Sequence, residues 1–310
     1  VPQDGRFSTS IDNRQVDFRV STLPVTLGEK VAIRILDPGQ RKIEFKELGL
    51  SGRNLKVVEK AIKKPYGMIL STGPTGSGKT TTLYAMLNLL NRDEVNVSTL
   101  EDPVEYYMEG VNQSQVRPEI NYTFATGLRS MVRQDPDILM VGEIRDEETA
   151  SLAIHAALTG HILLSTLHTS NTLGVIPRLV DMGVRSFLLP PTLSIAIAQR
   201  LLRKLCPECK KKVKATEKKK KVIMEEVEKM PEPVQKELNI SGDIYVYEAV
   251  GCKKCNQTGY ADRIGIFEIL EMTDQLAEVI NEGATEAKVK REAERQGMIT
   301  MMQDGVLKAL

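Results

Sequence analysis

Met68-Ile69-Leu70-Ser71-Thr72-Gly73-Pro74-Thr75-Gly76-Ser77-Gly78-Lys79-Thr80-Thr81 is the stretch from which the fold can be read. Residues 73–80 satisfy G-x-x-x-x-G-K-[ST] at every position. The context agrees with the match: residues 68–71 are an apolar strand leading in, and residues 81–90 are helical in composition leading out. Glycines let successive backbone N–H groups converge on phosphate oxygens, and the N-terminus of the following helix adds positive potential. In such a loop Lys79 reaches the β- and γ-phosphates, and the Thr80 hydroxyl ligates Mg²⁺. A nucleoside triphosphate site is expected at residues 73–81, against the alternative of a glycine-rich turn that holds no ligand.

Outward from the loop, strand-like and helix-like segments alternate. Strands are predicted at 68–71, 97–100, 138–141 and 162–166, and helices at 79–90, 125–134 and 147–159. That order implies an α/β fold whose mostly parallel sheet is covered by helices on both faces. The helix after Asp146 carries Ala150, Ala153, Ile154, Ala157 and Leu158 on one face and stops at Gly160. Upstream, residues 15–20 and 30–36 alternate polar and apolar around a bend at 27–29. This is too little chain for a domain and reads as the end of one. Asp37-Pro38-Gly39-Gln40 marks a boundary, and Ser51 is placed to cap a helix running to Lys63. Composition shifts again near residue 206. Residues 285–310 predict two helices parted at Gly297, the second started by a Thr300–Gln303 capping box. The expected division is 1–37, the C-terminal part of a small N-terminal domain; 38–204, the core; 205–260, a cysteine-bearing module; and 261–310, a helical region.

The chain has 310 residues, with 42 Lys+Arg against 41 Asp+Glu and a net charge of +1. Balanced charge, 8 Tyr, 6 Phe and no Trp leave little of the basic, aromatic surface that nucleic acid binding uses, so no nucleic acid partner is expected. The longest apolar run, 187–198, has 12 residues and two prolines, short of the ~18–20 needed to span a bilayer. Residues 1–6 carry neither an initiator Met nor a signal sequence. The chain is expected to begin inside a longer, cytoplasmic protein.

Phosphoryl transfer needs a group that orients water and further ligands for a metal. Residues 138–141 are an apolar strand followed by Gly142 and Glu143, which puts an acid at the C-terminal end, where α/β sheets bind ligands. A Walker B strand usually ends in Asp and then Glu. With Gly142 in the first position, Glu143 is the general-base candidate and metal ligands are sought elsewhere. Glu101 and Asp102, after the strand at 97–100, are the candidates for that second contribution, with Glu105 beyond them; capping a helix or facing solvent is the commoner role for any one such acid. His155, His161 and His168 are the only histidines. His161 and His168 flank one strand at ~23 Å if extended, so a single rigid site does not use both. His168, beside Thr166 and Thr169 on the ligand side, is placed to sense the γ-phosphate; His161 faces a neighbouring surface and His155 a helix surface. No third ligand is spaced to make a metal site of them.

Cys206-Pro207-Glu208-Cys209 and Cys252-Lys253-Lys254-Cys255 are two C-x-x-C pairs, whose thiolates can share one tetrahedral Zn²⁺. The intervening 42 residues must loop out. Disulfides are the alternative, which a cytoplasmic nucleotide hydrolase disfavours. Residues 210–221 hold eight Lys in twelve positions, read as a solvated loop, with contact to anionic lipid headgroups as the other reading.

Together these segments resemble the hexameric secretion ATPases of type II secretion and type IV pilus assembly, the GspE/PulE/PilB kind, over essentially the whole chain. Val132-Arg133-Gln134-Asp135-Pro136-Asp137-Ile138-Leu139-Met140-Val141-Gly142-Glu143-Ile144-Arg145-Asp146 is similar to that family's segment around Walker B, in which a Gly before the Glu is normal. Glu101-Asp102-Pro103-Val104-Glu105-Tyr106 is similar to its aspartate box, and Thr159-Gly160-His161 through Thr166-Leu167-His168-Thr169 to its histidine box. Residues 2–34 resemble the end of the small domain that precedes the motor. In the family, arginines of that domain close over the nucleotide, which makes Arg6, Arg19 and Arg34 candidates. The resemblance implies a RecA-like P-loop core with a small N-terminal α+β remnant, a tetracysteine zinc module and C-terminal helices. It further implies a homo-hexamer that hydrolyses ATP with Mg²⁺ at the inner face of the cytoplasmic membrane, with a membrane platform protein and other machinery components as partners. Assembly-type members carry the tetracysteine module and retraction-type members do not, so extension or export is expected. A DNA-translocating ring ATPase is the alternative, opposed by the charge balance. A zinc-dependent binding module with a vestigial nucleotide site is opposed by the full set of acids.

Overall fold

A computed structural model of the chain describes residues 1–11, 14–36, 43–238, 240 and 242–310; the boundary expected at residues 37–40 lies outside them. Three strands, β1 (Gln3–Ile11), β2 (Arg14–Val25) and β3 (Gly28–Leu36), pair antiparallel in the order β1-β2-β3. Strand β1 shows no apolar alternation of its own, because its positions opposite Val20 and Val16 are Gly5 and Thr9. The register sets Arg6 opposite Arg19 and Arg19 opposite Arg34. One residue further along, Phe7 stands opposite Phe18 with the rings stacked at 4.8 Å, and Phe18 opposite Ile35. Because the side-chain period of a strand is two, Arg19 and Arg34 belong to the face opposite the Phe7–Phe18–Ile35 row of this small sheet.

The core is a seven-stranded sheet. It contains β4 (Gly67–Thr72), β5 (Val97–Glu101), β6 (Val111–Gln115), β7 (Ile138–Val141), β8 (Ile162–Leu167) and β9 (Leu193–Leu205). After a two-stranded ribbon, β10 (Lys211–Lys214) and β11 (Tyr245–Glu248), the chain returns to the sheet as β12 (Tyr260–Glu271). The order is β12-β9-β4-β8-β7-β5-β6, parallel throughout except for the antiparallel edge strand β12. Strands β4, β5 and β7 are buried along their whole length, which is why they read as apolar runs rather than alternations. Met68, Leu70, Leu139 and Val141 pack on one side with Ala150, Ala153 and Ile154 of the helix Glu147–Leu158. Ile69, Ile138 and Met140 pack on the other with Leu83, Tyr84 and Leu87 of the helix Lys79–Leu90.

Several expectations change in the folded chain. The helix expected from Ser51 to Lys63 spans Gly52–Ala61, and the Ser51 side chain makes no capping bond. Instead the helix is tied to β12: Asn54 donates to the Phe267 carbonyl at 3.1 Å and Lys60 to Glu271 at 2.5 Å. The helix expected at 125–134 ends at Met131 and finishes in the 3₁₀ turn Val132–Gln134. Residues 261–271, expected inside a helical region, lie in the strand β12, paired with a β9 that the sequence reading also missed. Alanine at 196 and 198 and glycine at 265 mask the strand composition there. Three helices follow, Asp274–Asn281, Glu286–Arg295 and Met301–Ala309. The Thr300–Gln303 box forms, Gln303 N donating to Thr300 Oγ1 at 3.2 Å and Thr300 N to Gln303 Oε1 at 3.0 Å.

The lysine run is not a loop either. Residues 211–214 are β10 and residue 217 starts the helix Glu217–Glu228, because Ala215, Ile223, Val227, Ile244 and Val246 form a small core with Val306 of the last helix. Lys210 and Lys212 lie over the rings of Tyr247 and Tyr245 at 4.4 and 5.2 Å. Among the described residues no helix is long and apolar enough to cross a membrane.

Candidate active site

The loop after β4 takes the conformation that only glycine allows at its first position. Gly73 has φ 141°, and a Cβ there would stand 2.5 Å from the Gln199 carbonyl and 2.8 Å from Ser77 Oγ. Gln199, buried in β9, clamps the loop from beneath: its Nε2 donates to the Ser77 carbonyl at 2.8 Å while its Oε1 accepts from Ser71 Oγ at 3.2 Å. Lys79 begins the next helix and arches back, Nζ donating to the carbonyls of Gly73 at 2.8 Å and Pro74 at 3.2 Å. Burial pulls the Lys79 ammonium below its ordinary pKa, and the negative charge of Glu143 opposes that fall.

Across a cleft of about 800 Å³ from this loop stand the C-terminal ends of β5, β7 and β8. The cleft brings together Lys79, Thr80, Asp102, Glu143 and His168. Glu143, two residues past β7, is paired with Arg145 and with His168 Nε2 at 3.2 Å, and only 13% of its side chain is exposed. The hydrogen bond to Glu143 raises the Arg145 pKa further. Glu101 and Asp102 are adjacent but differ sharply. Asp102 is exposed at the cleft, whereas Glu101 is buried, accepting from Tyr84 OH, from Thr99 Oγ1 at 2.6 Å and from Gln113 Nε2 at 3.4 Å. Burial pushes the Glu101 carboxyl above its ordinary range, against those donors. Burial likewise raises the Tyr84 hydroxyl, and pushes Tyr106 up to about 12 with help from the Glu101 charge. Glu105 also lines the cleft, half-buried.

Of the arginine row, Arg34 lines the cleft; Arg19 is exposed on the next strand, and the Arg6 backbone lies one strand further. His155 is exposed on its helix and His161 folds its Nδ1 against the Ala156 carbonyl at 2.9 Å, so neither joins His168. Three residues near the loop had no role in the sequence reading. Arg145 lay inside a quoted motif, Gln199 carried no signal, and Arg263 reaches the cleft only because β12 returns to the sheet.

The four cysteines converge. Their sulfurs lie within 4.8 Å of one another, with Cys206–Cys252 at 4.0 Å, Cys209–Cys255 at 3.8 Å and Cys252–Cys255 at 3.7 Å. A tetrahedral site with metal–sulfur bonds of ~2.3 Å has sulfur–sulfur edges of about 3.8 Å. Burial pushes the Cys209 thiol up to about 11. Cys255 is pushed the same way by burial, but it accepts from the backbone N–H of Cys252 and Gly259 at 3.2 Å each and settles at about 6, favouring the thiolate that a metal needs.

Residues 1–310 match the family described as Type II/IV secretion system protein. The chain belongs to that family. Among type II/IV secretion system proteins, it is 44% identical over 310 residues to type II secretion system protein E of Aeromonas hydrophila, covering all of this chain and 59% of that protein. It is 43% identical over 311 residues to the type IV pilus assembly ATPase PilB of Myxococcus xanthus, covering 53% of that protein. The chain thus spans a little over half the length of these relatives. The pilus retraction motor PilT, solved with bound ADP, superposes with a TM-score of 0.62 at 27% identity over 100% of this chain and 77% of that one. The ATPase DotB of Legionella pneumophila gives a TM-score of 0.68 at 22% identity over 99% of this chain and 73% of that one, a likeness of fold alone.

Proposed function

We propose that this chain is the motor core of an ATPase that converts ATP and water to ADP and phosphate. Working as a cytoplasmic homo-hexamer at the inner face of the cytoplasmic membrane, it would power type IV pilus extension or assembly of a type II secretion pseudopilus. The observation that carries the reading is that the Lys79–Thr80 loop and the Glu143 carboxylate face one cleft, with His168 bonded to that carboxylate.

Backbone N–H groups of residues 75–80 and the Lys79 ammonium hold the β- and γ-phosphates. The Thr80 hydroxyl and Asp102 are the oxygen donors that would hold Mg²⁺, which supplies charge neutralisation at the phosphates when bound. Glu143 orients a water toward the γ-phosphorus and accepts its proton. A new P–O bond forms as the bond to the β–γ bridging oxygen breaks, and ADP leaves with that electron pair. Arg145 and His168 keep the carboxylate aimed, and His168 is placed to sense the γ-phosphate. Arg34, with Arg6 and Arg19 in one row beside it, adds positive charge when the N-terminal sheet closes over bound nucleotide. Nucleotide held by both parts favours the closed arrangement, which is how binding and release become movement.

The spacing of the cysteine sulfurs fits one structural Zn²⁺ in the module at 205–260, held by Cys206, Cys209, Cys252 and Cys255. The tetracysteine cluster and the 43% identity to an assembly ATPase support extension over retraction. The partners proposed are the inner-membrane platform protein and other components of the machinery. The lysine-bearing ribbon and helix at 210–221 are proposed to meet anionic headgroups where the motor lies against the membrane. In the full-length protein, Glu143→Gln is expected to bind ATP by calorimetry and to hydrolyse it at least ~10²-fold more slowly. Near-normal turnover in that variant would overturn the assignment.

A further inference from the structure

Glu268 is 6% exposed in the middle of β12, and among the described residues no cation pairs with it. A carboxylate carried into a protein interior without a cation is costly unless hydrogen bonds hold it, so what it bonds to is informative. Its Oε1 accepts twice from one residue, from Thr172 N at 3.0 Å and from Thr172 Oγ1 at 2.6 Å. Thr172 lies in the turn that leads from β8 to the helix Val175–Asp181, the same turn that begins with His168.

That turn has a second anchor. Thr169 N donates to Thr72 Oγ1 at 2.7 Å, and Thr72 is the last residue of β4 before the phosphate loop. The two anchors sit on one row of the sheet. Thr72 pairs with Ala198 and Ala198 with Glu268, so the three form one row on one face across β4, β9 and β12. Two strand spacings put Thr72 and Glu268 about 10 Å apart, and the bends at residues 170–172 carry the chain from one to the other. Ala198, fully buried between the anchors, leaves room for the turn to cross the sheet. Leu173 packs on the core beyond Thr172, and the Glu268 bonds add a polar tie in the stretch between Thr169 and Leu173, which fixes the approach of His168 to Glu143.

We propose that Glu268 is a positioning residue for ATP hydrolysis: by bonding Thr172 it locks the turn that sets His168 against Glu143. The inference rests on the reading of the cleft as a hydrolytic site. Glu268 touches neither the phosphate loop nor Glu143, so its loss acts on the chemical step and not on nucleotide affinity. A small misplacement of groups around a reacting centre costs as much as ~10²-fold in rate.

The test compares full-length wild type, Glu268→Leu and Glu268→Gln, which keeps an acceptor oxygen. Glu268→Leu is expected to lose about 10- to 100-fold in kcat with KM for ATP changed less than about twofold. Faster hydrogen exchange is expected to be confined to residues 168–174. Glu268→Gln is expected to restore both kcat and slow exchange. Wild-type kcat in Glu268→Leu, or faster exchange spread through β4 and β8, overturns the proposal. If Glu268→Leu does not fold, Thr172→Val, with Thr172→Ser as its rescue, carries the same comparison. If wild type itself turns over no ATP, the hydrolytic reading fails, whereas the exchange measurement still decides the tether: unchanged exchange at 168–174 in Glu268→Leu removes it.

Discussion

At Glu101, composition and place along the chain say nothing of burial. An acid at the end of an apolar strand beside a glycine-rich loop reads as a metal ligand; Asp102 is exposed at the cleft, and Glu101 is not. The alternation of a strand, however, sends neighbours to opposite sides. Glu101 turns inward to Tyr84, Thr99 and Gln113, and so ties the helix that carries Lys79 to β5 and β6. A buried acceptor that loses a donor bears its desolvation cost. Tyr84→Phe is therefore expected to destabilise the fold by about 1–3 kcal/mol, read by denaturant unfolding. Nothing in a linear pattern distinguishes the two acids, since the donors to Glu101 come from three separate elements. Glu143 is the opposite case: Gly142 before it and the apolar strand 138–141 place it at the ligand end with no help from the rest of the chain.

The C-terminal elements are held by polar staples as much as by packing. Glu292, on the helix Glu286–Arg295, accepts from Arg295, from Thr273 Oγ1 at 2.9 Å and from Gln296. The Arg295 hydrogen bond holds its carboxyl below the ordinary glutamate value of 4.5, with burial opposing and Thr273 and Gln296 assisting. A carboxylate whose folded pKa is depressed contributes stability that is present above the unfolded value and lost as pH falls through the folded one. Glu292→Gln is expected to melt below wild type near neutral pH, and the gap is expected to close as pH drops below 4.5. A gap that stays constant on acidification would assign the staple to geometry instead of charge. At this scale the two central helices and four parallel strands were legible as periodic runs. The β9–β12 pair was not, because its alanines and glycine suit a strand only once a neighbouring strand covers them.

Across the whole molecule, β9 and β12 join the two sites. Gln199 of β9 clamps the phosphate loop, and six residues after that strand's Gln199 the chain reaches Leu205 and then Cys206; β12 starts just past Cys255 and carries Arg263 to the cleft. The module between them has its own small core, which closes on the last helix. If one Zn²⁺ completes it, metal analysis of the purified protein is expected to return one zinc per chain, and Cys209→Ser to lower that ratio. Chelation is expected to expose residues 205–260 to protease while the seven-stranded core resists. Full zinc content in Cys209→Ser would remove the assignment.

Local signals place a segment wherever its geometry is set by its neighbours in the chain. The phosphate loop, Glu143 and the paired C-x-x-C motifs need only near neighbours in the chain, because turn geometry and strand direction act over a few residues. Convergence is a different matter. That the sulfurs of two cysteine pairs 46 positions apart in sequence come within 4.8 Å, that Arg34 lines the cleft, and that Gln199 and Glu268 grip turns more than 90 residues away follow from strand order and register. Those are set by long-range pairing of buried backbone, whose energy depends on every strand at once.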